Sequence, residues 1–144
     1  MRIPKIDPVD RILDANINRA KEGLRVCEEI ARFIFSSKAL TEDLKKVRHR
    51  INSALAGFPG RPELLRMRDS QKDVGLNIKV KSEFRRAGIQ DVFFANMQRV
   101  KESVRVLEEF MKLKDVNAAA NFKKIRYQVY EIERRMAQRL AKRS

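Results

Sequence analysis

The sequence predicts an all-α protein: a four-helix bundle built from two repeated helical hairpins with pseudo-two-fold symmetry. Two observations predict it. Apolar residues recur at three- and four-residue spacing, and no convincing period-two alternation competes with them. The text of residues 15–34, ANINRAKEGLRVCEEIARFI, also returns at residues 95–114 as ANMQRVKESVRVLEEFMKLK. Asn16/Asn96, Arg19/Arg99, Lys21/Lys101, Arg25/Arg105 and Glu28/Glu108 are among the identical pairs. A weaker echo follows, in which Leu44-Lys45-Lys46-Val47-Arg48 matches Phe122-Lys123-Lys124-Ile125-Arg126. Each hairpin has an apolar face that it cannot bury alone, so the two halves are expected to pack together.

The elements follow in order. Asp7-Pro8 opens the first helix, since Asp is a good N-cap and Pro suits the first helical position. It runs through Ile12, Ala20, Leu24, Cys27 and Ile34, and Ser36-Ser37 ends it. The second is expected from near Thr41, with Glu42 and Asp43 complementing the dipole, to Gly57 before Pro59-Gly60. The third starts between Ser82 and Ile89 and reaches about Lys114. Asp115-Val116-Asn117 reads as a tight turn, and the fourth runs on from Asn117. The chain is thus one helical domain over 1–144, with hairpins at about 8–57 and 85–142 joined by a loop over 58–84.

Composition narrows the class. The 43% hydrophobic content excludes a disordered tail, and no uncharged stretch is long enough to span a bilayer. The lone Cys27 cannot form an internal disulfide, and Met1 to Asp10 contains no apolar secretion segment, so a cytoplasmic location is expected. A net charge of +14 favours polyanionic partners: nucleic acid, anionic lipid or a phosphorylated small molecule.

Polar residues on apolar faces single out the candidate site. With Asn16 at the origin of a helical wheel, Ile12, Gly23, Val26, Cys27, Ala20 and Leu24 define an apolar arc from roughly 280° to 100°, with Arg19 inside it at about 300°. The repeat gives Asn96 and Arg99 the same inward reading. On the second helix Arg48 falls between Leu44, Val47, Ile51 and Leu55, and on the fourth Arg126 is bracketed by Phe122, Ile125 and Val129. A buried guanidinium needs a partner. Internal carboxylates are one reading, but the inward faces offer few acids, Glu133 being the clear one. A bound anion is the other, since Arg suits bidentate phosphate recognition.

The connection supplies a second candidate. Arg68-Asp69-Ser70-Gln71-Lys72-Asp73-Val74-Gly75 gathers two carboxylates and two cations in eight residues. Asp69 and Asp73 could hold Mg²⁺ beside a phosphate, and an ordinary polar turn is the plainer reading. No Gly-rich phosphate loop occurs. His49 falls at a boundary and Cys27 on the apolar arc, which reads as a core thiol and not as a nucleophile.

The runs Arg11 to Arg19 and Glu22 to Phe33, together with Arg68-Asp69…Asp73-Val74-Gly75, Ala95-Asn96…Arg99, Arg105 to Glu109 and Lys124 to Tyr127, resemble a known helical family. It is the hydroxymethylpyrimidine-phosphate kinase family of thiamine biosynthesis, whose members occur alone or fused in front of thiamine-phosphate synthase. The resemblance covers about residues 10–133; Leu76 departs from it, standing where the family often has Thr. It implies that ATP phosphorylates 4-amino-5-hydroxymethyl-2-methylpyrimidine phosphate to the diphosphate, with Mg²⁺, and a functional link to thiamine-phosphate synthase.

Phosphoryl transfer needs positioning and charge stabilisation above all. On this reading Arg19, Arg99 and Asp69 are the candidate catalytic residues. Asn16, Arg48, Arg68, Asn96 and Arg126 are the candidate substrate contacts, the amides facing an aminopyrimidine edge and the arginines the phosphates. Asp69 and Asp73 are the candidate metal ligands. The competing readings are a non-catalytic pyrimidine- or phosphate-binding domain, a basic helical nucleic-acid module carried by Lys123, Lys124, Arg134, Arg135, Arg139, Lys142 and Arg143, and a purely structural homodimeric bundle. The nucleic-acid module is disfavoured because neither an aromatic-interleaved stripe nor helix-turn-helix spacing appears.

Overall fold

The computed structural model describes residues 7–55, 73–76 and 85–143. Four α-helices account for most of them, and no strand occurs among the described residues. Helix α1 spans Pro8–Glu29, with the Asp7 side chain accepting from the Val9 N–H at 2.9 Å. It continues into a π-helical turn, Ile30–Ile34, closed by the Phe35 N–H donating to the Ile30 carbonyl. Ser36 then adopts a left-handed φ of 50°, a conformation more often given to Gly at a helix end. Ser37 caps α2, Lys38–Ala54, by accepting from the Leu40 N–H. Helix α2 therefore starts three residues before Thr41, because the Ser37 hydroxyl outcompetes the acidic pair as the start signal.

Helix α3 spans Ile89–Met111 and α4 spans Val116–Arg143. Asp115 is a cap and not a free turn: its carboxylate accepts from the N–H groups of Asn117 and Ala118. The expected loop 58–84 lies outside the described residues except for 73–76, an exposed turn.

The helices form a closed ring of neighbours: α1 packs on α2 and α3, and α4 packs on α3 and α2. The α1–α3 seam is antiparallel. Lys114, past the end of α3, pairs with Asp7 and Asp10 at the start of α1, while Gly23 near the end of α1 meets Asn96 and Val100. The α2–α4 seam is antiparallel as well, with Arg135 of α4 bonded to Asp43 of α2 at 2.6 Å. Leu24, Leu44, Phe93, Met97, Leu107 and Phe122 are fully enclosed between the helices.

Small residues let α1 and α3 approach. A Cβ built on Gly23 would lie 2.9 Å from the Asn96 carbonyl oxygen and 2.7 Å from Val100 Cγ2. Its repeat counterpart, Ser103, is buried too. In an unhindered helix Gly→Ala gains about 1 kcal/mol. Gly23→Ala is expected to lose about 1 kcal/mol net, as overpacking outweighs that gain. Urea denaturation followed by circular dichroism checks this; an unchanged or raised midpoint would refute the close approach.

Candidate functional site

The inward polar residues divide into two sets. Arg48 and Arg126 do face the hairpin interiors, and each has a carboxylate waiting. Arg48 Nε donates to Glu28 Oε2 at 3.1 Å, and Arg126 Nε donates to Glu108 Oε2 at 2.8 Å, with its Nη2 reaching Oε1 at 3.5 Å. Glu28 and Glu108 are repeat counterparts, both buried, and each takes a second ion pair from the preceding turn, from Arg25 and Arg105. The Glu108 carboxylate first, and the Tyr130 hydroxyl after it, hold the Arg126 guanidinium further above its ordinary pKa. Arg126 also lies over the rings of Tyr127 and Tyr130. The expected shortage of inward acids is thus corrected: Glu28 sits at about 120° on the wheel, just past the arc drawn from the apolar residues. Its signal was an acid three residues after Arg25, repeated after Arg105.

Arg19 and Arg99 correct the reading in the other direction. Both are exposed. The buried face of α1 is made by Leu13, Asn16, Ile17, Ala20, Gly23, Leu24, Cys27 and Glu28, which centres it near 50° and leaves Arg19 about 110° away. Val26, which had widened the arc toward Arg19, is only half-buried.

Asn16 is buried and Asn96 half-buried, yet their amide N–H groups serve their own helices. Asn16 Nδ2 donates to the Ile12 carbonyl and Asn96 Nδ2 to the Val92 carbonyl, both at 2.8 Å. Asp73 is exposed and accepts from the Gly75 N–H through Oδ1 at 2.8 Å. Arg68 and Asp69 lie outside the described residues. Among the described residues no group of three His, Cys, Asp or Glu side chains is placed to hold a metal ion, and of the expected pair Asp69 and Asp73 only Asp73 is described. Burial pushes the Cys27 thiol up to about 12, with Glu133 adding to the shift, as befits a core thiol.

Among the described residues, two cavities lie along the α2–α4 seam. One lobe, of ≈ 380 Å³, is lined by Arg50, Ser53, Asn121, Lys124 and Gln128 over an apolar floor of Ala54 and Ile125. Among the described residues Arg50 and Lys124 make no ion pair and no carboxylate lines this lobe. Gln128 Oε1 is buried, with no hydrogen-bond partner among the described residues. A second lobe, of ≈ 250 Å³, adjoins it through Arg50 and Gln128. Sequence reasoning missed this seam because its polar residues are spaced as an ordinary solvated face; Lys46/Lys124 in the echo was the available signal.

The chemistry of the first lobe is specific. Two cations, a hydroxyl and an amide N–H suit an anion, while an orphaned acceptor asks for an N–H or O–H donor. The buried carboxylates suit structure instead. Glu108→Gln should cost about 3 kcal/mol by stranding Arg126, whereas Arg19→Ala and Arg99→Ala should stay within about 0.5 kcal/mol. Thermal and chemical denaturation compare the three.

Comparison with known proteins adds to this. The ThiD2 family model matches residues 11–135. Thiamine-phosphate synthases of Rhodopirellula baltica, Synechocystis and Nostoc punctiforme are 44%, 42% and 42% identical over 131, 125 and 125 residues. Those alignments cover 88%, 87% and 87% of this chain and 35%, 35% and 34% of the relatives, so the chain spans about a third of their length. No solved structure matches. With the family model covering most of its length, including both copies of the repeat, the chain belongs to the ThiD2 family.

Proposed function

We propose that this chain acts in thiamine biosynthesis by phosphorylating 4-amino-5-hydroxymethyl-2-methylpyrimidine phosphate with ATP, and that the first lobe of the α2–α4 seam holds the pyrimidine substrate. Family membership and the names of the relatives support the pathway. The observation that carries the site is the convergence on one lobe of Arg50 and Lys124, which make no ion pair among the described residues, with Ser53, Asn121 and Gln128. The substrate phosphate would take hydrogen bonds from the cations and from Ser53 or Asn121. Its 4-amino group would donate to Gln128 Oε1. An oxygen of the substrate phosphate then attacks the γ-phosphorus of ATP, the bond to the bridging oxygen of ADP breaks, and ADP leaves with that electron pair. The protein's share is alignment and charge neutralisation.

The phosphate contacts are assigned to Arg50 and Lys124, exposed like Arg19 and Arg99, because they line the first lobe and the other two do not. We also propose that the two hairpins are related by an approximate two-fold axis. The repeated Glu–Arg pairs, the repeated Asn-to-carbonyl bonds and the two antiparallel seams support that relation. A nucleic-acid module is less well supported. Arg134 and Arg135 pair with Glu131 and Asp43, and Arg139 and Arg143 donate to the carbonyls of Phe35 and Ile34. One second reading is a pyrimidine-phosphate-binding domain without turnover, since the chain spans only about a third of its thiamine-phosphate synthase relatives.

Purified protein, ATP, Mg²⁺ and the pyrimidine monophosphate should yield the diphosphate and ADP. Binding without product selects the second reading; neither binding nor product refutes both. Lys124→Ala should weaken substrate binding roughly tenfold to hundredfold. Gln128→Leu should weaken it roughly tenfold while leaving the folded state as stable or more so, since Oε1 has no partner to lose.

A further inference from the structure

The two lobes of the α2–α4 seam are counterparts under the internal repeat. Extending the echo that aligns Lys46 with Lys124 and Arg48 with Arg126 places Asp43 against Asn121, Arg50 against Gln128, Ser53 against Glu131 and Ala54 against Ile132. Each residue that lines the first lobe has its counterpart lining the second. Arg50 and Gln128 are counterparts of each other and line both, so the lobes meet there.

The lobes differ in charge. Asn121 and Ser53, neutral in the first, are replaced in the second by the carboxylates Asp43 and Glu131. Arg135 enters the second lobe and closes on Asp43, Nη1 to Oδ2 at 2.6 Å. Glu131 is bonded to Arg134 at 2.6 Å, and that bond lowers its pKa, so it stays charged at neutral pH. A phosphate entering the second lobe meets two carboxylates and a guanidinium already engaged.

We propose that the seam is a duplicated pair of anion subsites, of which the Asn121–Lys124 lobe is open to a phosphate group and the Asp43–Lys46 lobe is a closed twin, shut by the Asp43–Arg135 ion pair and the Glu131 carboxylate. The inference rests on the first lobe being the phosphate site, and does not need the kinase reaction. The twin retains Lys46, with no ion pair among the described residues, and an apolar wall of Val47 and Ile132. What excludes an anion is two side chains, each with a neutral counterpart.

The test uses inorganic phosphate and the whole chain at low ionic strength, with calorimetry for stoichiometry and amide chemical shifts for location. The wild type should bind one equivalent, shifting Asn121 and Lys124. Lys124→Ala should weaken that binding roughly tenfold or more. The double variant Asp43→Asn with Glu131→Ser gives the closed lobe the residues of its counterpart. It should bind two equivalents and newly shift Lys46 and Val47, with circular dichroism confirming the helical fold. The single variant Asp43→Asn should give a weaker second site. One equivalent in a folded double variant, two in the wild type, or none in the wild type would each overturn the proposal. One bound phosphate in the wild type, two in the double variant and no kinase product would sink the kinase reading and leave the twin subsites standing.

Discussion

A carboxylate buried in each hairpin, bonded to a guanidinium from the next helix, sets the geometry on which the rest depends. Glu28 and Glu108 are 5% and 4% exposed, so neither can remain charged without a partner close by. Arg48 and Arg126 supply it, and the pairing fixes the rotation of α2 against α1 and of α4 against α3. That rotation has a consequence two residues away. Positions 46 and 50 lie about 160° around α2 from Arg48, and 124 and 128 lie likewise from Arg126. Turning each arginine toward its own hairpin therefore turns Lys46, Arg50, Lys124 and Gln128 toward the other one. The structural ion pair and the basic seam are two sides of the same helices.

This arrangement separates stability from binding. The ion pairs are neutralised within the fold and have no charge left for a ligand. The α1–α3 seam is drawn tight at Gly23, whose added Cβ would meet Asn96 and Val100, and at the buried Ser103. Along the α2–α4 seam lie a cavity, cations without an ion pair among the described residues, and a buried amide oxygen without a hydrogen-bond partner among them. The cost of an unsatisfied buried acceptor, of order 1–3 kcal/mol, is of the kind that persists at ligand sites, where the ligand repairs it.

The helical class, the order of the elements and the repeat were legible because they rest on periodicity and on text visible in one chain. Asn16 and Arg48 were rightly read as facing inward, since each is flanked by apolar residues on both sides of the wheel. Arg19 was misread because a wheel drawn from one helix treats every apolar residue as core, whereas the half-buried Val26 only borders the packed face. Glu28 was missed for the matching reason: a carboxylate at the edge of the arc looks solvated until the arginine of the neighbouring helix is seen to meet it. The seam was illegible because it exists only between α2 and α4, and no one helix carries a motif for it.

The central claim is that the anion-bearing ligand of this protein sits between α2 and α4. A crystal structure of the chain with 4-amino-5-hydroxymethyl-2-methylpyrimidine phosphate tests it most directly. The phosphate should lie within hydrogen-bond distance of Lys124 and Arg50, with the 4-amino group beside the Gln128 amide. A ligand held by Arg19 and Arg99 on the α1–α3 pair, with the α2–α4 seam holding only solvent, would contradict it.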